Sequence, residues 1–209
     1  MTDGLEAALR AADTVVFDFD GVLTDSEPLH LRSYRELMAG EGGGIDEDTF
    51  RALIGRKERE IWPTVAGPEC DVDSLVARRS QLMLDLTERE GLRLDPRAAR
   101  MLEWSGGERV LLSSGSPVLV DGLLRRWDAA GLFGEVHALG DSRAVKPDEL
   151  RRIVADRRTR SSWSGVLVED SPQMLNLGSE IGLVTVGVVH TLNTAADVAA
   201  ADFVVERAP

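Results

Sequence analysis

The chain of 209 residues has one cysteine, Cys70, so no disulfide framework can form within it, and such sparing use belongs to a reducing compartment. Its apolar residues never gather into a run near the ~20 residues that a membrane span needs. The stretch from Met1 to Asp13 is amphipathic and acidic, without the apolar core of a secretion signal. Positive charge is scarce: 24 basic side chains stand against 36 acidic ones, a net charge of −12. A field of that sign disfavours non-specific binding to nucleic acid and to anionic membranes, so an anionic ligand must be drawn in by local positive groups. Internal repeats and low-complexity tracts are absent as well. What remains is a cytoplasmic chain of one or two domains, long enough to bury a full core.

Short apolar runs punctuate the sequence at Thr14–Phe17, Arg109–Leu112, Glu135–Leu139, Val166–Val168, Leu183–Val189 and Phe203–Val205. Helical patterns lie between the later ones, over Val118–Ala130, Asp148–Arg157 and Pro172–Ile181. That alternation predicts an α/β fold with a mostly parallel sheet covered on both faces, and ligands at the C-terminal ends of its strands. From about Pro28 to Arg93 the alternation breaks. This stretch holds only helical patterns, at Leu29–Ala39, Glu47–Leu53, Arg59–Val65 and Asp73–Glu90, with a Gly42-Gly43-Gly44 turn between the first two.

Four segments carry candidate chemistry. Val15 to Phe17 empties into Asp18-Phe19-Asp20-Gly21, two carboxylates spaced so that both could address one ligand on an extended chain. Like charges placed so close need a cation or a shared proton. Val110–Leu112 runs into Ser113-Ser114-Gly115-Ser116-Pro117, where a hydroxyl and the amide of Gly115 could donate to a phosphoryl oxygen. Lys146, in Val145-Lys146-Pro147-Asp148, is one of only two lysines, the other being Lys57. A compact ammonium suits a point charge between carboxylates and phosphate in a way guanidinium does not. Gly165–Val168 ends in Glu169-Asp170-Ser171-Pro172. Alone, each segment also reads as ordinary structure: an acidic turn, a Ser/Gly turn or acidic start capping a helix, a solvated lysine.

The set in this order resembles the haloacid dehalogenase superfamily, in its phosphatase and β-phosphoglucomutase-like branch with a helical cap. The resemblance runs from Thr14 to about Val205. It implies a Rossmann-like core over 1–26 and 94–209, with an inserted α-helical cap over 27–93 hinged near Thr24–Pro28 and Leu92–Pro96. By position it makes Asp18 the nucleophile, Asp20 the general acid and base, and Ser114 the phosphoryl holder. Lys146 would neutralise Asp18 and phosphate. Asp18, Asp170 and the backbone carbonyl of Asp20 would bind Mg²⁺, with Glu169 acting through water. Free amides around Phe19, Asp20 and Gly115 would complete the phosphate site. Magnesium fits better than zinc, since every expected ligand is oxygen and neither Cys70 nor the few histidines cluster with them.

A cap that closes would exclude water and bring selecting side chains. His30 lies where many relatives carry a histidine close to the catalytic acid, and reads equally as a helix histidine on a partly buried face. Arg56, Lys57 and Arg59 could meet a second anionic group, or form a solvated patch with the interleaved Glu58 and Glu60. The four tryptophans, Trp62, Trp104, Trp127 and Trp163, read as core or interface fillers rather than ligand platforms, with Trp62 the best exception because it lies in the cap.

The expected ligand is a small phosphorylated metabolite, and the first functional reading is a phosphatase. A phosphomutase resembling β-phosphoglucomutase is the second. Against it, Gly115-Ser116-Pro117-Val118 lacks the Lys-Asn pair that mutase has there, and Glu58 stands near its phosphate-binding arginine. A non-catalytic phospho-switch fits worst, because a receiver domain places its lysine last, and here Lys146 precedes Glu169-Asp170.

Overall fold

In this computed structural model the described residues are 2–40, 44–53, 56–140, 142–159 and 162–206. Along the chain, helix α1 (Thr2–Ala11) leads to strand β1 (Thr14–Phe17). Four helices follow: α2 (Glu27–Gly40), α3 (Glu47–Arg51), α4 (Glu58–Val65) and α5 (Val72–Arg89). Then come α6 (Pro96–Trp104), β2 (Glu108–Ser113), α7 (Pro117–Arg126), a short 3-10 turn (Ala130–Leu132) and β3 (Glu135–Ala138). The chain closes with α8 (Lys146–Arg157), β4 (Gly165–Glu169), α9 (Pro172–Glu180), β5 (Val184–Val188) and β6 (Phe203–Val205). It divides into two compact units, Met1–Asp25 with Arg93–Pro209, and Ser26–Leu92. Among the described residues no helix is long and apolar enough to cross a membrane.

The first unit is built on a six-stranded sheet in the order β3-β2-β1-β4-β5-β6, every pairing parallel. β1 is buried along its whole length, as a central parallel strand with helices on both faces must be. Val16, Val110, Leu112 and Leu167 from the strands pack with Leu150, Ile153 and Val154 of α8 and Met174 and Leu177 of α9. The chain leaves β1 for β2 on one side and later returns to β4 on the other. β1 and β4 therefore flank the switch point where such sheets bind ligands.

Proline decides where the helices on this side begin. Pro117, Pro147 and Pro172 each occupy a first-turn position, where a missing N–H costs nothing and the fixed φ already suits a helix. The residues immediately before them are thus held between the end of a strand, or of a loop, and a helix start.

The helix expected over Val118–Ala130 ends earlier, at Arg126, because Asp128 takes a left-handed φ of 54° and only a 3-10 turn follows. Helix α6 was not anticipated. Its Arg-Ala-Ala-Arg stretch shows no apolar run, but Asp95 caps it and Pro96 opens it.

The regular elements among the described residues of the second unit are all helices. Trp62, wholly buried, packs its ring 4.8 Å from that of Tyr34, which also meets Phe50. Arg79 is buried in the same cluster. Its guanidinium lies 4.1 Å from the Tyr34 ring centre, donates through Nε to Ser33 Oγ (2.9 Å) and pairs with Glu58 (3.1 Å). Trp62 donates to the other Glu58 oxygen (3.1 Å), so this tryptophan is a core filler, the reading the sequence favours for all four, and not the exception its place in the helical stretch allowed. Gly42 and Gly43 of the expected turn lie outside the described residues.

Candidate active site

The ends of β1 and β4 bring three carboxylates together. Asp18 follows β1, Glu169 ends β4 and Asp170 follows it; all three are buried, with candidate ligand atoms within 4.8 Å of one another. Lys146, at the start of α8, sets its ammonium 2.7 Å from Asp18 Oδ1 and also pairs with Glu169 Oε1. One cation thus serves two of three buried anions.

The electrostatics follow from that shortage. Burial, together with the charges of Glu169 and Asp170, pushes the Asp18 carboxyl well above the usual carboxylate range, although Lys146 pulls the other way. Burial opposes charge on Glu169 too. There the nearby Lys146 and the N–H groups of Asp170 (2.7 Å) and Ser171 (2.8 Å) outweigh it and hold the pKa below normal. Burial likewise disfavours the charged form of Lys146, but Asp18 and Glu169 overcome it and raise its pKa. A divalent cation fits this donor set, which is all hard oxygen and holds more negative charge than the lysine neutralises.

The two oxygens of Asp18 are not equivalent. Oδ1 accepts from its neighbour's amide, Phe19 N–H (2.7 Å), and from Lys146. Oδ2 has no hydrogen bond among the described residues. Since no fully buried side-chain polar atom there lacks a partner, Oδ2 is the oxygen that reaches the surface.

Other expected site residues fall at the same sheet edge with different surroundings. Asp20 is half-buried and outside the carboxylate cluster; its Oδ2 comes within 3.4 Å of where a Cβ on Gly115 would stand. Ser114 is exposed just past β2. Two of the amides expected to be free are engaged: Phe19 N–H donates to Asp18, and Gly115 N–H to Ser113 Oγ (2.8 Å). Short side chains next to a turn satisfy backbone donors locally, and spacing alone does not reveal that. The Phe19 ring stacks on Trp127 at 5.7 Å.

In the helical unit His30 lies beside Arg79, Nδ1 to Nη2 at 2.5 Å. Arg56 is exposed, Lys57 precedes α4, and Arg59 pairs with Asp73 (2.5 Å); Gly55 lies outside the described residues.

Gly21 is demanded by the site rather than by the turn alone. Its φ is +73°, and a Cβ there would stand 2.6 Å from Asp170 Oδ2 and 3.1 Å from His190 Cδ2. His190 corrects the expectation that no histidine clusters with the acids: its Nε2 lies 3.0 Å from Asp170 Oδ2. The available signal was position, because His190 follows β5 at the same sheet edge as every other motif.

The haloacid dehalogenase-like hydrolase family matches residues 12–156. A curated relative, the phosphorylated carbohydrates phosphatase of Thermotoga maritima, is 31% identical over 87% of this chain and 87% of its own. Among solved structures, a Thermotoga maritima protein proposed to be a β-phosphoglucomutase is 27% identical, with a TM-score of 0.69 over 93% of this chain and 94% of that one. CbbY of Rhodobacter sphaeroides, solved with phosphate, shares the fold at 21% identity, with a TM-score of 0.77 over 93% of each chain.

Proposed function

The chain belongs to the haloacid dehalogenase-like hydrolases, and from that premise we propose that it is a Mg²⁺-dependent phosphatase of a small phosphorylated metabolite, working through an aspartyl-phosphate on Asp18. A sugar phosphate or a phosphoglycolate-like acid is the substrate class, and the relative named for phosphorylated carbohydrates supports the former. The observation that carries the reading is the asymmetry of Asp18. Oδ1 is clamped by an amide and an ammonium, and Oδ2 is left to face a ligand.

Asp18 Oδ2 attacks phosphorus, and the ester oxygen leaves as Asp20 gives it a proton. Lys146 holds Asp18 in place and faces the phosphoryl charge, and the exposed Ser114 hydroxyl donates to a phosphoryl oxygen. Phe19 and Gly115 amides join in by exchanging their present bonds for phosphoryl oxygens. Asp20 then takes a proton from water, which attacks the aspartyl-phosphate and releases phosphate. Mg²⁺, held by Asp18, Asp170 and the Asp20 carbonyl with Glu169 acting through water, would supply the positive charge that three buried carboxylates and a dianionic substrate call for. His30, Arg56 and Lys57 of the helical unit are the substrate-selecting candidates.

A mutase reading has in its favour the likeness to the structure proposed as a β-phosphoglucomutase. Against it, the segment after Ser114 has no Lys-Asn pair, and Glu58 is committed to Trp62 and Arg79. Incubation with Mg²⁺ and a panel of phosphorylated metabolites, β-glucose 1-phosphate among them, followed by phosphorus NMR, tests the choice. Free phosphate should appear as substrate disappears, with no need for a hexose bisphosphate. Bisphosphate-dependent isomerisation with little free phosphate would reverse the assignment.

A further inference from the structure

Lys146 reaches Asp18 and Glu169; the third carboxylate of the cluster, Asp170, meets His190 instead. His190 is 3% exposed, so this contact is made away from water. Its Nδ1 accepts from Leu192 N–H (3.2 Å), which places the ring proton on Nε2, the nitrogen 3.0 Å from Asp170 Oδ2. The Leu192 amide thereby fixes the tautomer, with the ring N–H on the nitrogen nearest the carboxylate.

The loop carrying it is itself fastened at several points. Asn193 accepts from His190 N–H through Oδ1 (2.7 Å) and donates through Nδ2 to Val188 O (3.1 Å) and Asp170 O (3.4 Å). Thr191 donates its hydroxyl to Asp25 Oδ2 (2.5 Å), tying the loop to the segment after the first motif. Arg97, paired with Asp95, donates to Val189 O (2.7 Å). A buried ring held this way has no freedom to follow Asp170 if the carboxylate turns. At Gly21 a Cβ would stand 3.1 Å from His190 Cδ2, so a side chain there would crowd the ring.

We propose that His190 is a positioning residue for the metal site: its Nε2–H fixes the rotation of the Asp170 carboxylate, so that Mg²⁺ meets a preset ligand. The inference rests on Asp170 being a metal ligand. A hydrogen bond that presets a ligand carboxylate removes the ordering otherwise needed on binding, and loss of such a partner typically lowers metal affinity by about 10–100-fold.

Three variants separate this role from packing. His190→Gln carries an amide nitrogen near the place of Nε2; His190→Asn carries the same amide too short to reach Asp170; His190→Phe keeps the ring without the donor. Each is titrated with Mg²⁺ by calorimetry, alongside wild type and Asp170→Ala, with thermal melts in chelator as the check on folding. The expected result is binding within about threefold of wild type for Gln, and weakening of about 10-fold or more for Asn and Phe. The Mg²⁺ concentration for half-maximal phosphate release should shift in parallel, with turnover recovering at saturating Mg²⁺. If Phe fails to fold, the Gln and Asn pair decides alone. Equal Mg²⁺ affinities for Gln and Asn, weakened or not, overturn the proposal, while Asp170→Ala losing binding keeps the ligand assignment standing. Wild-type affinity in Asp170→Ala removes that assignment and the inference with it.

Discussion

Replacing Lys146 by methionine removes the single ammonium that pairs with both Asp18 and Glu169 while keeping most of the side-chain volume. Nζ is 2.7 Å from Asp18, and the side chains of the three residues are 12%, 9% and 0% exposed, so water screens little of the loss. Stripping one partner from a buried ion pair costs about 3–5 kcal/mol. The lower end applies, because Glu169 keeps the amides of Asp170 and Ser171, and Asp18 keeps that of Phe19. For a chain of this size about 3 kcal/mol corresponds to a melting temperature lower by roughly 6–12 °C. The assay is a circular-dichroism melt in chelator and again in excess Mg²⁺. Mg²⁺ should raise the melting temperature of Lys146→Met more than that of wild type, since a divalent cation restores part of the missing positive charge. Lys146→Arg should recover stability in chelator but not turnover, because a planar guanidinium does not replace a point charge at this spot. A Lys146→Met protein that melts like wild type in chelator would refute the electrostatic account of the cluster.

Gly21→Ala should weaken Mg²⁺ binding and lower stability by about 1–3 kcal/mol, because the backbone is left-handed there and the new methyl collides with Asp170; a calorimetric titration and a melt report both. Glu169→Ala should cost more stability than Asp170→Ala, since Glu169 holds Lys146 and two amides, whereas Asp170→Ala should lose more Mg²⁺ affinity; denaturant unfolding and calorimetry separate the two. Asp95 gives a pH signature away from the metal site. Burial opposes its charge, but Arg97 and the start of α6 more than compensate and hold its pKa below normal. A depressed carboxylate contributes stability above its unfolded pKa of about 3.9 and loses it as pH falls through the folded value. Asp95→Asn should therefore be less stable than wild type at neutral pH, with the gap closing only below about pH 4 in denaturant titrations.

Much of the sheet was legible because parallel central strands are short unbroken apolar runs, and Val15–Phe17 and Val166–Val168 are of that kind. Glu169, Asp170 and Lys146 were legible for a related reason: each sits where an apolar run or loop meets a proline-started helix, while Asp18 marks the abrupt end of the apolar run Val15–Phe17. Helix α6 was not, since its apolar face is only Ala98, Met101 and Leu102 in a nine-residue helix interrupted by arginines. Nor was the engagement of the Phe19 and Gly115 amides, which depends on side-chain rotation at Asp18 and Ser113. His190 was hidden by distance in sequence. Twenty residues separate it from Asp170, and only the pairing of β4 with β5 brings their ends together. Trp62 fills the core of the helical unit, as a tryptophan in an amphipathic helix most often does, so its place in that stretch carries no ligand role.

The central claim is that Asp18 becomes phosphorylated, and the direct measurement is a single turnover with substrate carrying radiolabelled phosphate, quenched in acid and mapped by peptide. A substrate is first identified with wild type in Mg²⁺, and the same turnover is then run with Asp18→Asn. The account predicts label on the wild-type peptide containing Asp18, rising and decaying as free phosphate appears, and neither label nor turnover in the variant. Phosphate release by Asp18→Asn at a rate near that of wild type would contradict it.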